Sequence, residues 1–148
     1  MQVREIMTSN PASCSPDTGL VDIARMMVSE DCGEIPICGD DKKPIGVVTD
    51  RDIVCRLVAK GKNPLDLRAE DCMTRNLVTA TPETPIEDCA RLMEQYQVRR
   101  LPVVDRAGCL CGMVAQADLA RKGPRDTTME VVEKVSQPNT FASSVGGR

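Results

Sequence analysis

The sequence predicts an α/β protein made of two β-α-β-β-α repeats packed as a pseudo-twofold pair. Three observations carry that reading. The chain has 148 residues, room for one ordinary domain or two very small ones. Slid by 66 positions, VREIMTSNPASCSPDTGLVDIARMM falls on AEDCMTRNLVTATPETPIEDCARLM without a gap, and 13 of the 52 pairs in 3–54 against 69–120 are identical. Both copies then run through the same order of amphipathic and alternating segments. A unit of about 50 residues buries too little apolar surface to stand alone, so the two copies should pack together.

Within each copy the elements follow in order. Ala12–Ser15 and Val78–Thr81 read as a strand ahead of a helix. After Pro16 and Pro82 an amphipathic helix is expected, with Leu20, Ile23, Ala24 and Met27 answered by Ile86, Cys89, Ala90 and Met93 at helical spacing. Thr84-Pro85-Ile86-Glu87 reads as a helix start with a capping box and proline at the first position. Strands are expected at 35–38 and 45–49, then at 101–104 and 110–114, each pair joined by a polar turn, and second helices start near Asp50 and Gln116. The organisation predicted is a first repeat over 1–60, a connector over 61–68, a second repeat over 69–122, and a C-terminal helix and frayed tail over 123–148. The helix in that last part spans Asp126–Val135.

Composition excludes several functions. There is no His and no Trp, with one Tyr and one Phe, against eight Cys and eight Met. Without His there is no Ser-His-Asp or Cys-His nucleophile and no imidazole base, and an enzyme is not expected. Stacking platforms for single-stranded nucleic acid need aromatics this chain lacks. A formal net charge of −3 gives no general pull toward nucleic acid or an anionic membrane. The opening MQVREIMTSN has no apolar h-region and no run is long enough to span a bilayer, so a cytoplasmic protein is expected.

The segment Gly46-Val47-Val48-Thr49-Asp50-Arg51-Asp52 ends a strand and opens a helix. A Thr hydroxyl and backbone N–H groups at a helix start suit a phosphate, and the Asp52 carboxylate suits the hydroxyl pair of a ribose. The same Thr49-x-x-Asp52 spacing is also a helix capping box in any protein. In the second repeat, Ala115 replaces the threonine while Asp118 keeps the acid, which loses the hydroxyl and half of the box.

A repeated β-α-β-β-α unit with an initial Met-Thr, a middle IPICGD or LPVVD and a terminal GVVTDRD resembles the CBS-domain pair, or Bateman module. The likeness covers residues 3–121, and IPICGDDKKPIGVVTDRDIV resembles stand-alone bacterial pairs of the hypoxic-response kind. What it implies is a regulatory module that senses a ligand. It would bind an adenine nucleotide (AMP, ADP or ATP) or an S-adenosyl compound in the cleft between repeats, need no cofactor, form a homodimer, and act on a regulated protein partner that the sequence does not name. It assigns ligand contacts to Thr49 and Asp52, and sets against them Val78, Leu101 and Pro102 as an apolar surface for the base and Arg99-Arg100 as a phosphate grip. The opposite cleft would pair Asp118 with Gly33 and Glu34, an acidic setting poor for phosphate. One phosphate-nucleotide site per chain is therefore expected.

The cysteines carry the alternative, a redox- or metal-responsive stress protein. There is no CxxC, and the only close pair is Cys109-x-Cys111. Cys14 and Cys38 lie on strands expected to run side by side, which makes them the candidate redox pair. Most of the eight read as small apolar core residues.

Overall fold

Alternation and helical spacing resolve into elements close to those expected. A computed structural model of the chain describes residues 1–138. In chain order these residues form β1 (Thr8–Ser9), α1 (Leu20–Glu30), β2 (Glu34–Cys38), β3 (Pro44–Thr49), α2 (Asp50–Arg56), α3 (Ile86–Tyr96), β4 (Arg100–Val104), β5 (Leu110–Ala115), α4 (Gln116–Lys122) and α5 (Arg125–Val135). Single 3-10 turns lie at Val3–Glu5, Val58–Lys60, Pro64–Asp66 and Ala69–Asp71. Most of the tail expected at the C-terminus lies outside the described residues.

The chain forms two compact units that do not coincide with the two sequence repeats. One holds Ala12–Leu77 and contains Asp52; the other joins Met1–Pro11 to Val78 and the described residues after it, and contains Asp118. Each repeat therefore contributes its opening Met-Thr segment to the unit built mainly from the other. In the Asp118 unit β1 pairs antiparallel with β5, with Thr8 opposite Met113, and β5 pairs with β4. In the Asp52 unit Thr74 takes the place of Thr8, paired with Val47 on β3, and β3 pairs with β2. The segments read as strands at 12–15 and 78–81 shrink to single parallel bridges, Cys14 with Ile37 and Ala80 with Val103.

The exchange requires glycine at the crossing. A Cβ on Gly46 would stand 2.9 Å from the Met73 sulfur and 2.9 Å from the Thr74 carbonyl, and one on Gly112 would stand 2.7 Å from the Met7 sulfur. It also supplies helix caps. The N–H of Ile86 donates to the Met1 carbonyl at 3.0 Å and that of Leu20 to the Leu67 carbonyl at 2.9 Å, filling donors that a helix start leaves open. The capping box expected at Thr84 is accordingly absent. Pro85 is the cap residue without a side-chain bond, and the Thr84 hydroxyl accepts from the Thr81 N–H at 2.9 Å instead. The predicted connector also packs, because Leu67 lies against the core of the Asp52 unit.

Each unit has its own core. Leu20, Ile23, Ile35, Ile37, Val48, Leu57 and Met73 fill that of the Asp52 unit. Ile86, Cys89, Met93, Leu101, Val103, Val114 and Leu119 fill that of the Asp118 unit, where α5 adds Val131 and Val135. Burying each large aliphatic side chain contributes about 1.5–3 kcal/mol, and these residues hold the β3–α2 and β5–α4 junctions in place.

Candidate ligand site

The β3–α2 junction turns the chain from strand to helix at Thr49, whose backbone is extended (φ −109°, ψ 159°). The Asp52 N–H donates to Thr49 Oγ1 at 2.9 Å, and the Thr49 N–H donates to Asp52 Oδ2 at 3.0 Å. The capping box is thus real, and it leaves the Thr49 hydroxyl hydrogen available as a donor. Asp52 is 1% exposed. Its Oδ1 is buried without a hydrogen bond, and the Arg56 Nε stands 3.6 Å from it. A buried carboxylate oxygen without a donor is costly unless something supplies one.

The β5–α4 junction repeats the backbone and changes the chemistry. The Ala115 N–H donates to Asp118 Oδ2 at 2.8 Å, with no hydroxyl to answer it. Asp118 Oδ1 meets the Arg121 guanidinium at 3.4 Å, so both its oxygens are engaged. The loss of half the box expected from Ala115 is what the structure contains.

The other predicted site residues belong to the Asp118 unit. Arg99 is exposed, Arg100 and Val78 are half-buried, and Leu101 and Pro102 are buried. Arg100 pairs across the strands with Ala115, Leu101 with Val114 and Pro102 with Met113, while Val78 packs against the same core as Leu101. Glu34 occupies the corresponding place in the Asp52 unit, directly across from Thr49. Sequence reasoning missed Arg56, whose Nη1 donates to the carbonyls of Cys72 and Met73 at 3.4 and 3.3 Å. Its position four residues after Asp52 on a helix was the available signal.

The described cysteines are all free thiols. The Cys38 N–H donates to the Cys14 carbonyl at 2.8 Å, so the two backbones are adjacent as expected. The register pairs Cys14 with Ile37, β2 is irregular between Ile37 and Cys38, and the Cys38 thiol is near enough to add its charge to burial in pushing the Cys14 pKa upward. The Cys14 thiol lies 3.0 Å from the Met26 sulfur. Burial pushes it above its ordinary pKa, against an opposing hydrogen bond with Thr18. Burial likewise pushes Cys72 up to about 11 and Cys89 up to about 12. These thiols stay protonated near neutrality, the unreactive form. Among the described residues no three Cys, Asp or Glu side chains converge to hold a metal ion, and no helix is long and apolar enough to cross a membrane.

Two copies of one β-α-β-β-α unit, each ending in a strand-to-helix turn with a buried aspartate, define the class of paired repeats that the sequence resembles. The CBS domain model matches residues 3–59 and 69–125, and the chain belongs to the CBS-domain family. Hypoxic response protein 1 of Mycobacterium tuberculosis is 33% identical over 140 residues, covering 95% of this chain and 97% of that protein. The crystal structure of Hypoxic Response Protein I with two coordinated zinc ions matches at a TM-score of 0.76 and 34% identity, over 84% of this chain and 100% of that one. The CBS domain pair of protein MJ0100, in complex with 5′-methylthioadenosine and S-adenosyl-L-methionine, matches at a TM-score of 0.74 and 26% identity, over 82% of this chain and 94% of that one.

Proposed function

We propose that this protein is a cytoplasmic ligand-sensing regulatory module that binds an adenine nucleotide or adenosyl compound and changes its conformation or its contacts with a protein partner. The observation that carries this reading is the Asp52 carboxylate, held at a helix start with Oδ2 in the cap and Oδ1 buried without a hydrogen bond. A ribose hydroxyl supplies the missing donor, and the Thr49 hydroxyl beside it donates to a phosphate oxygen. Arg99 and Arg100 are proposed as phosphate contacts and Val78, Leu101 and Pro102 as contacts for the base, the roles that the family resemblance gives them. The MJ0100 pair, bound to two adenosyl compounds, supports the ligand class. Asp118 already has both oxygens engaged and lacks the hydroxyl, so one phosphate-nucleotide site per chain is proposed. The module acts by binding and not by turnover.

A homodimer belongs to the same proposal. The outer side of α1 and α2 leaves Val28 83% and Val54 56% exposed, and a second copy would cover them.

Calorimetry with AMP, ATP, S-adenosylmethionine and methylthioadenosine tests the ligand. One site per chain is expected, lost in Asp52→Ala and weakened for the phosphate-bearing ligands in Arg99→Ala/Arg100→Ala. No binding by any of the four, or binding indifferent to Asp52→Ala, overturns the reading.

A further inference from the structure

Among the described residues Arg56 is the cation paired with Asp52, and it holds neither of its neighbours firmly. Its Nε lies 3.6 Å from Asp52 Oδ1, beyond hydrogen-bond distance. Its Nη1 is divided between the Cys72 and Met73 carbonyls at 3.4 and 3.3 Å, both long for such bonds. A guanidinium has five donors in a rigid planar fork, and here it spans two groups with slack on each side. Those carbonyls immediately precede Thr74, which exchanges two backbone hydrogen bonds with Val47 at 2.8 and 3.0 Å. Three residues later, at Leu77, the chain leaves this unit for the other.

The second repeat lacks the device. Lys122 stands in the position of Arg56 and, among the described residues, makes no such bridge. Asp118 is instead met by Arg121 from one residue earlier on the helix, and that guanidinium is 73% exposed. The spanning arrangement occurs, among the described residues, in the unit whose aspartate has a buried oxygen without a hydrogen bond.

We propose that Arg56 is a positioning residue that links ligand occupancy of Asp52 to the 72–74 segment. The inference rests on the ligand reading above and adds the route by which binding leaves the site. While Oδ1 lacks a donor, the guanidinium is drawn toward it and away from the carbonyls. A ligand hydroxyl donated to Oδ1 satisfies that oxygen, and Arg56 settles onto the Cys72 and Met73 carbonyls. The Val47–Thr74 bridge tightens at the exit toward the other repeat. The ligand thereby distinguishes two states by a definite contact, the requirement for any ligand-driven shift.

Hydrogen exchange at the Val47 and Thr74 amides reads this out, with AMP as the probe. Wild type should show about threefold to tenfold slower exchange at both amides when saturated. Arg56→Lys keeps the charge and should bind AMP within about fivefold of wild type, yet lose the added protection because an ammonium cannot span both partners. Undiminished AMP-induced protection in Arg56→Lys and Arg56→Gln overturns the proposal. A second arm needs no ligand. Asp52→Asn, Arg56→Gln and the double variant form a cycle on the same two amides, where the proposal expects non-additive changes of about twofold or more. Additive changes overturn it. If wild type binds no adenosine compound, the ligand reading fails by itself, and the cycle still reports whether Asp52 and the 72–74 segment are coupled through Arg56.

Discussion

The Asp52 and Asp118 units share a backbone and differ at the positions where a ligand or another helix would touch them. Their helix starts are capped by equivalent carbonyls, Leu67 for Leu20 and Met1 for Ile86, and both place a glycine where a Met-Thr segment crosses. Yet Thr49 and Arg56 answer to Ala115 and Lys122, and among the described residues a further helix, α5, packs on the helices of the Asp118 unit alone. There Lys134 bridges Glu94 and Glu130, and the Gln97 side chain donates to the Lys134 carbonyl at 3.0 Å. At the matching positions α1 has Val28 in place of Glu94 and Asp31 in place of Gln97. The repeat thus fixes how the chain folds back on itself, and leaves the outward chemistry of each copy free to diverge.

Methionine at one repeat position gives the largest expected contrast. Met93 is fully buried in the core to which α5 adds Val131 and Val135, whereas Met27 is only half-buried at the edge of its core. Met93→Ala should cost about 3 kcal/mol and Met27→Ala about 1 kcal/mol, since the cost of a cavity grows with what closes over it. Urea denaturation of both variants measures the difference. Equal losses would mean that α5 adds nothing to the packing around Met93, and the comparison between covered and uncovered helices would fail.

What was legible in the sequence was whatever depends on local spacing. The helix periodicity of Leu20–Met27 and Ile86–Met93, the hairpin turns and the Thr49–Asp52 box are set by residues within a few positions of one another. Features that depend on distant chain were not legible in this way. Thr84 looks like a cap until the Met1 carbonyl, which the sequence places far away, takes the helix N–H that the cap would have served. Cys14 and Cys38 do come together as strands, and the irregularity of β2 between Ile37 and Cys38 that sets their register is something composition does not carry. The Thr49–Asp52 box is legible from its spacing; the bridge made by Arg56 is not, because its partners, the carbonyls of Cys72 and Met73, are backbone atoms that no motif encodes.

A smaller effect is expected from exchanging the two junctions. Thr49→Ala removes an acceptor for the Asp52 N–H and should cost about 1 kcal/mol, the ordinary value of an N-cap hydroxyl. Ala115→Thr restores the box in the other unit and should stabilise by up to about 1 kcal/mol. Chemical denaturation of the pair checks both signs. If Ala115→Thr destabilises, the β5–α4 turn differs from β3–α2 by more than one hydroxyl, and the equivalence of the two junctions is lost.

A last contrast appears only in alkali, and it also distinguishes the units. Cys89 in the Asp118 unit stands where the Asp52 unit has Ile23, and both are fully buried. Burial raises the Cys89 thiol to about 12, above the value of about 8.5 for a cysteine in an unfolded chain. Below that lower value the thiol is protonated in both states, and its contribution to stability is complete. As pH rises further the unfolded chain releases the proton while the folded one keeps it, so stability falls progressively until the folded thiol also ionises near 12. Cys89→Ala should therefore be less stable than wild type at pH 7, through the cavity, yet lose less between pH 8.5 and 10.5. Ile23→Cys should acquire the alkaline slope that Cys89→Ala loses. Parallel curves for wild type and Cys89→Ala across that window would show that the Cys89 thiol ionises as readily in the folded protein as in the unfolded chain.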